Sequence, residues 1–135
     1  MDTQNAVSII KEIKIEEATV KLRSDGIVHV YYHKNTLLDV KLQKKMLVIF
    51  NEITGIKKSS FIFEADEGLV LTKEARDNAI TMEDKTPVIA TAVVADNLAY
   101  RIVANFYIKV NKPKGAYRIV SSVEEGAKWL KSLRS

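Results

Sequence analysis

The chain has 135 residues, with 21 Lys and Arg against 17 Asp and Glu, a net charge of +4, two histidines and no cysteine. That length suits one domain around a single core, and the lack of cysteine excludes a disulfide framework, a thiol nucleophile and a cysteine-ligated zinc site. An apolar share of 47% with 28% charged residues excludes wholesale disorder, and no apolar run approaches the roughly 20 residues that span a bilayer.

Residues 1–15 form an extension whose pattern fits two periods. Ala6, Ile9, Ile10 and Ile13 have helical spacing, whereas Ile13 and Ile15 alternate as a strand does. The domain proper runs over residues 16–135. Ala18, Val20 and Leu22 alternate with Thr19, Lys21 and Arg23, which predicts a half-buried strand. Ser24-Asp25-Gly26 supplies a tight turn, and Ile27 to His33 returns as a second strand with Val28, Val30 and Tyr32 on one face.

The period then lengthens. Thr36 is expected to cap a helix, with Asp39 reaching back in a capping box. Leu38, Leu42, Met46, Ile49, Phe50 and Ile53 follow at three- and four-residue steps until Gly55, placed to stop the helix. Ser60 to Glu64 reads as a short strand, and Ala65-Asp66-Glu67-Gly68 as a loop. Thr72 is an N-cap for a helix to Ile80 whose inner face is modest, with Ala75, Ala79 and Ile80. After the break at Asp84-Lys85-Thr86-Pro87, Val88 to Ala95 is apolar except for Thr91 and suits a central strand covered on both faces.

Asp96 is expected to cap the next helix, with Leu98, Ala99, Ile102, Val103, Phe106 and Val110 as its buried stripe and Tyr107 also in the core. Asn111 to Gly115 ends it, since Pro113 lacks a donor. Ala116 to Val120 is the last strand, and Ser122 to Glu125 repeats the capping box before a helix with Val123, Gly126, Leu130 and Leu133 turned inward. A mid-helix glycine costs about 1 kcal/mol against alanine, which a close helix–sheet approach at Gly126 would offset. The order β-β-α-β-α-β-α-β-α predicts an α/β fold with a mixed, mostly parallel sheet of about five strands and four helices.

This order is similar to that of the STAS domain and the related SpoIIAA-like proteins. The pieces Arg23-Ser24-Asp25-Gly26-Ile27-Val28-His29-Val30, Thr72-Lys73-Glu74-Ala75-Arg76, Asn105-Phe106-Tyr107-Ile108-Lys109-Val110-Asn111-Lys112-Pro113 and Glu124-Glu125-Gly126-Ala127-Lys128-Trp129-Leu130 resemble small bacterial "STAS/SEC14 domain-containing" proteins, found mostly in Bacteroidetes. The resemblance implies a SpoIIAA-like fold from about Glu16 to Leu133. In the anti-sigma-antagonist branch a serine after the third strand is phosphorylated at a helix N-terminus, where free N–H groups favour a dianion. Aligned on Gly68, the equivalent place here holds Glu67, and Thr72 is the nearby hydroxyl. Either Thr72 takes the phosphate, or Glu67 makes a permanently charged version, or Thr72 is simply a cap.

Other candidates are weaker in motif. His29 and His33 would share a strand face about 13 Å apart, too far for one metal ion. Glu64, Asp66 and Glu67 form an acidic end to a strand, at the sheet edge where α/β folds take ligands, without a nucleophile or oxyanion hole beside them. No glycine-rich phosphate loop occurs. Lys109, Lys112, Lys114 and Arg118, with Tyr107 and Tyr117 interleaved, are the densest basic cluster and a candidate anion site; elsewhere the charges are mixed, so nucleic acid is not expected.

The expectation is a cytoplasmic, non-enzymatic regulatory module without cofactor, metal or membrane partner. It would meet an unknown protein through Asp66, Glu67, Gly68, Thr72 and Arg76. The alternative is a small-ligand or lipid-binding domain related to CRAL-TRIO proteins, and homodimerisation through the opening hairpin edge is open. A filled core would favour the first reading and a sizeable apolar cavity the second.

Overall fold

Alternating apolar residues from Ile13 to Tyr32 give the chain three successive strands, and the computed structural model pairs them edge to edge. It describes residues 6–134, apart from the side chains of Ala99, Val103, Phe106 and Tyr107. The strands are β1 (Ile9–Lys14), β2 (Ala18–Arg23), β3 (Val28–Tyr32), β4 (Leu37–Leu38), β5 (Ser59–Ala65), β6 (Val70–Leu71), β7 (Val88–Val94) and β8 (Ala116–Val120). The helices are α1 (Val40–Thr54), α2 (Lys73–Thr81), α3 (Leu98–Asn111) and α4 (Val123–Ser132), with one 3-10 turn at Glu83–Lys85.

The main sheet has the order β1-β2-β3-β5-β7-β8, and β4 and β6 form a small separate ladder. β1, β2 and β3 run antiparallel, while β3, β5, β7 and β8 are mutually parallel. The α/β class, the mainly parallel sheet and the four helices are therefore as the sequence predicts. The extension contributes a sixth strand: Ile13 pairs with Val20 and Lys14 with Thr19. A neighbouring ladder supplies backbone partners, which is why the strand period prevails there over the helical one.

One sheet face carries Val20, Val30, Tyr32, Phe61 and Phe63 and packs against α1, whose Phe50 ring meets Phe61 edge-on at 4.9 Å. The opposite face carries Ile62, Ala92 and Val120 beneath Ala127 and Leu130 of α4. A Cβ added at Gly126 would lie 3.2 Å from the Ala92 Cβ and 3.3 Å from Val120, so the expected close approach of helix and sheet is present.

Four local expectations need correction. Asp39, not Thr36, caps α1, accepting from the Leu42 N–H at 2.9 Å. Thr36 instead donates to the His33 carbonyl at 2.8 Å, because pairing of Leu37 and Leu38 with β6 keeps the chain extended up to Asp39. Asn97, not Asp96, caps α3. The α3 stripe is also rotated: Leu98, Ile102 and Val110 are exposed, whereas Ala104 is buried. Ala99, Val103, Phe106 and Tyr107, the rest of that expectation, lie outside the described residues. α3 is apolar around much of its circumference, so spacing alone does not select the inward side. β7 is not fully covered either, since Ile89 remains 58% exposed.

The Gly126 contact yields a stability test. Gly126→Leu should cost about 1–3 kcal/mol by overpacking the α4–sheet contact, read as a lower urea midpoint with an unchanged slope.

Candidate functional site

α2 is short, and the residues it turns inward are small. Ala75 is its only fully buried residue, with Ala79 beside it one turn on. The side chains that α2 turns squarely at the sheet, Ala75 and Ala79, are too short to reach it. The helix is instead held by polar contacts at its flanks. Gln43 of α1 donates to the Ala75 carbonyl at 2.7 Å and accepts from Asn78 at 2.9 Å, and Asn111 of α3 donates to Asp77 at 3.1 Å. Thr72 caps α2, accepting from the Ala75 N–H at 3.0 Å.

Beneath α2 and α3 this leaves a cavity of about 560 Å³ over the face of β5 and β7. Phe63, Thr91 and Val93 form its floor, Ala75, Ala79 and Ala104 its roof, and Met46 and Phe50 one end wall. Nothing in the residue types of α2 announces a ligand site. The signal was there all the same: an inner face of alanines opposite a strand whose same-side residue between Ile89 and Val93 is only Thr91.

The expected contact residues do not converge on one chemistry. Arg76 lines the cavity on α2. Glu67 is exposed and pairs with Lys34 at 2.8 Å, a contact worth little at such exposure. Asp66 accepts from its neighbour's N–H and from Tyr31, while its carbonyl accepts from the Tyr100 hydroxyl. Gly68 holds a φ of +83° against Asn35, so this turn favours a residue without a Cβ. The basic candidates also separate. Lys112 ends α3 in a left-handed conformation, Lys114 lies 3.6 Å from Asp84, and Lys109 is exposed. Arg118 points to the other sheet face, over the Trp129 ring. These four therefore do not form one anion cradle.

The histidines sit on the sheet face opposite the cavity, where β1 to β3 have no helix above them and form a shallow polar shelf with Lys21 and Glu64. His29 Nε2 donates to Glu64 at 2.9 Å. His33 Nδ1 donates to the Glu16 carbonyl and its Nε2 accepts from Thr19, so that ring is tied at both nitrogens. No group of three or more potential metal ligands occurs among the described residues, and no helix there is long and apolar enough to cross a membrane.

Desolvation pushes His29 below its ordinary value of 6.5, only partly opposed by Glu64. A histidine depressed in the folded state adds stability above the unfolded value, and that stability is lost as pH falls through the folded one. Thermal stability should thus decline as pH is lowered from 7 towards 5, and His29→Gln should flatten that segment of the curve, as followed by calorimetry.

With this geometry in place, comparison with known proteins is informative about family and fold. No curated protein matches the chain. Among solved structures, an uncharacterised protein of the DUF3478 family with a SpoIIAA-like fold, from Shewanella loihica PV-4, is similar over 93% of both chains at 9% identity, with a TM-score of 0.55. That likeness shows the SpoIIAA-like fold and nothing of activity. The family described as "Domain of unknown function (DUF7793)" matches residues 20–134, from β2 through all four helices, and the chain belongs to that family.

Proposed function

We propose that this protein is a non-catalytic binding domain that holds an apolar small molecule beneath α2. One observation carries the reading: the cavity of about 560 Å³ between the sheet and α2 and α3. Protein interiors are otherwise packed with few voids larger than a water molecule, whereas ligand sites occupy about 300–1,000 Å³ and are mostly apolar. An apolar occupant supplies the dispersion contacts that the alanines of α2 leave unmade.

The carboxylates at the strand ends support binding over catalysis, because Glu64, Glu67 and the Asp66 backbone and side chain are engaged within the protein. The regulatory role implied by the family resemblance is compatible with this site. Leu69, Val70 and Arg76 line the cavity and lie next to Asp66, Glu67 and Thr72, so a protein docking on that rim would meet a surface whose backing depends on what the cavity holds.

Titration with anilinonaphthalene sulfonate should give saturable, one-to-one fluorescence enhancement with the native protein. Ala79→Trp, which places an indole in the cavity, should weaken this by at least about tenfold while leaving the fold intact by circular dichroism. Equal binding by Ala79→Trp, or no saturable binding by the parent, would end the reading.

A further inference from the structure

Tyr32 closes β3 and points to the α1 side of the sheet, where only 6% of the residue is exposed. Its surroundings push the phenol pKa upward through desolvation alone, without any hydrogen-bonding contribution, so the group stays a protonated donor. Among the described residues none bonds to this hydroxyl. Yet no fully enclosed side-chain oxygen or nitrogen there lacks a partner. The hydroxyl therefore reaches open space, and Tyr32 is part of the cavity wall. Tyrosine hydroxyls in largely buried positions normally find a partner.

The position of Tyr32 along the cavity is equally informative. Tyr32 is level with Ala65 at the carboxyl end of β5, while Ile89 is level with Ser59 and Ser60 at its other end. At about 3.3 Å per residue these two walls stand about 18 Å apart along the strand. Between them the floor is Phe63, Thr91 and Val93, and the far end opens beside the exposed Ile89. The space is thus long and mostly apolar, with the Thr91 hydroxyl in its floor and the Tyr32 donor at one end.

Building on the binding reading above, we propose that the occupant is a fatty acyl compound whose head oxygen accepts a hydrogen bond from Tyr32 while its chain runs towards Ile89. The acceptor is a carboxyl or ester oxygen, and the neutral phenol serves either. Apolar burial along the chain supplies affinity, and the donor at the Tyr32 end lets the head oxygen keep a hydrogen bond while the chain lies along the full length of the cavity.

Binding of dodecanoic acid, methyl dodecanoate and dodecane by isothermal calorimetry, to the native protein and to Tyr32→Phe, tests this. Tyr32→Phe should weaken the acid or the ester, whichever binds, by about tenfold and leave dodecane unchanged; the tighter of the first two identifies the head group. The urea midpoint of the unliganded variant should not fall, because no intramolecular bond is lost. Unchanged affinity of Tyr32→Phe for acid and ester, or a fallen midpoint, would overturn the assignment while leaving the cavity reading in place. Failure of the native protein to bind any of the three would remove both.

Discussion

Each connection from β3 onwards carries the chain to the next parallel strand in the same direction, from β3 to β5, β7 and β8. Crossovers of the usual right hand then place every intervening helix on one side of the sheet, and α1, α2 and α3 share that side. Only α4, which follows the last strand, is free to cover the other face, where it packs over β5, β7 and β8. This constraint has two consequences. One side is crowded with three helices of unequal bulk, and the other leaves β1 to β3 bare. Because the strand order never reverses, the fold also lacks the crevice at a topological switch point in which open α/β sheets commonly bind ligands. The acidic strand ends, attractive as a ligand edge by analogy, are accordingly knitted into the protein.

The cavity follows from the unequal bulk. α1 sends Met46, Phe50 and Ile53 into the sheet and fills its share of the face. α2 offers the methyl groups of Ala75 and Ala79, with Arg76 at the wall, and so leaves its share of the face unfilled. Its neighbours keep it from shifting towards the sheet: the Gln43–Asn78 contact to α1 and the Asn111–Asp77 contact to α3 fix its height. Short side chains and polar supports together produce a hollow that neither would produce alone. Tyr32 stands at one end of that hollow with its hydroxyl unpaired.

The likeness to a SpoIIAA-like protein at 9% identity places the fold and leaves the site to be argued from its own residues. Glu67 stands where the alignment on Gly68 would put the serine, and the Thr72 hydroxyl accepts the Ala75 N–H as an N-cap.

How much was legible in the residues depended on the range of the interaction. Strand periods, the Gly26 turn, the Gly55 stop, the Ser122 cap and the need for a tight contact at Gly126 all arise within a few residues of backbone, and the sequence by itself determined them. So, too, did the modest inner face of α2, though not its meaning. The start of α1 at Asp39, the rotation of α3 and the pairing of β1 were decided by partners distant along the chain: β6, the sheet and β2. Lys109, Lys112, Lys114 and Arg118 are close in sequence, but a left-handed turn at Lys112 and the alternation of β8 send Arg118 to the opposite face. The cavity is the extreme case, because an empty volume belongs to no residue. It exists only where several elements are held apart, and only the tertiary structure could set that distance.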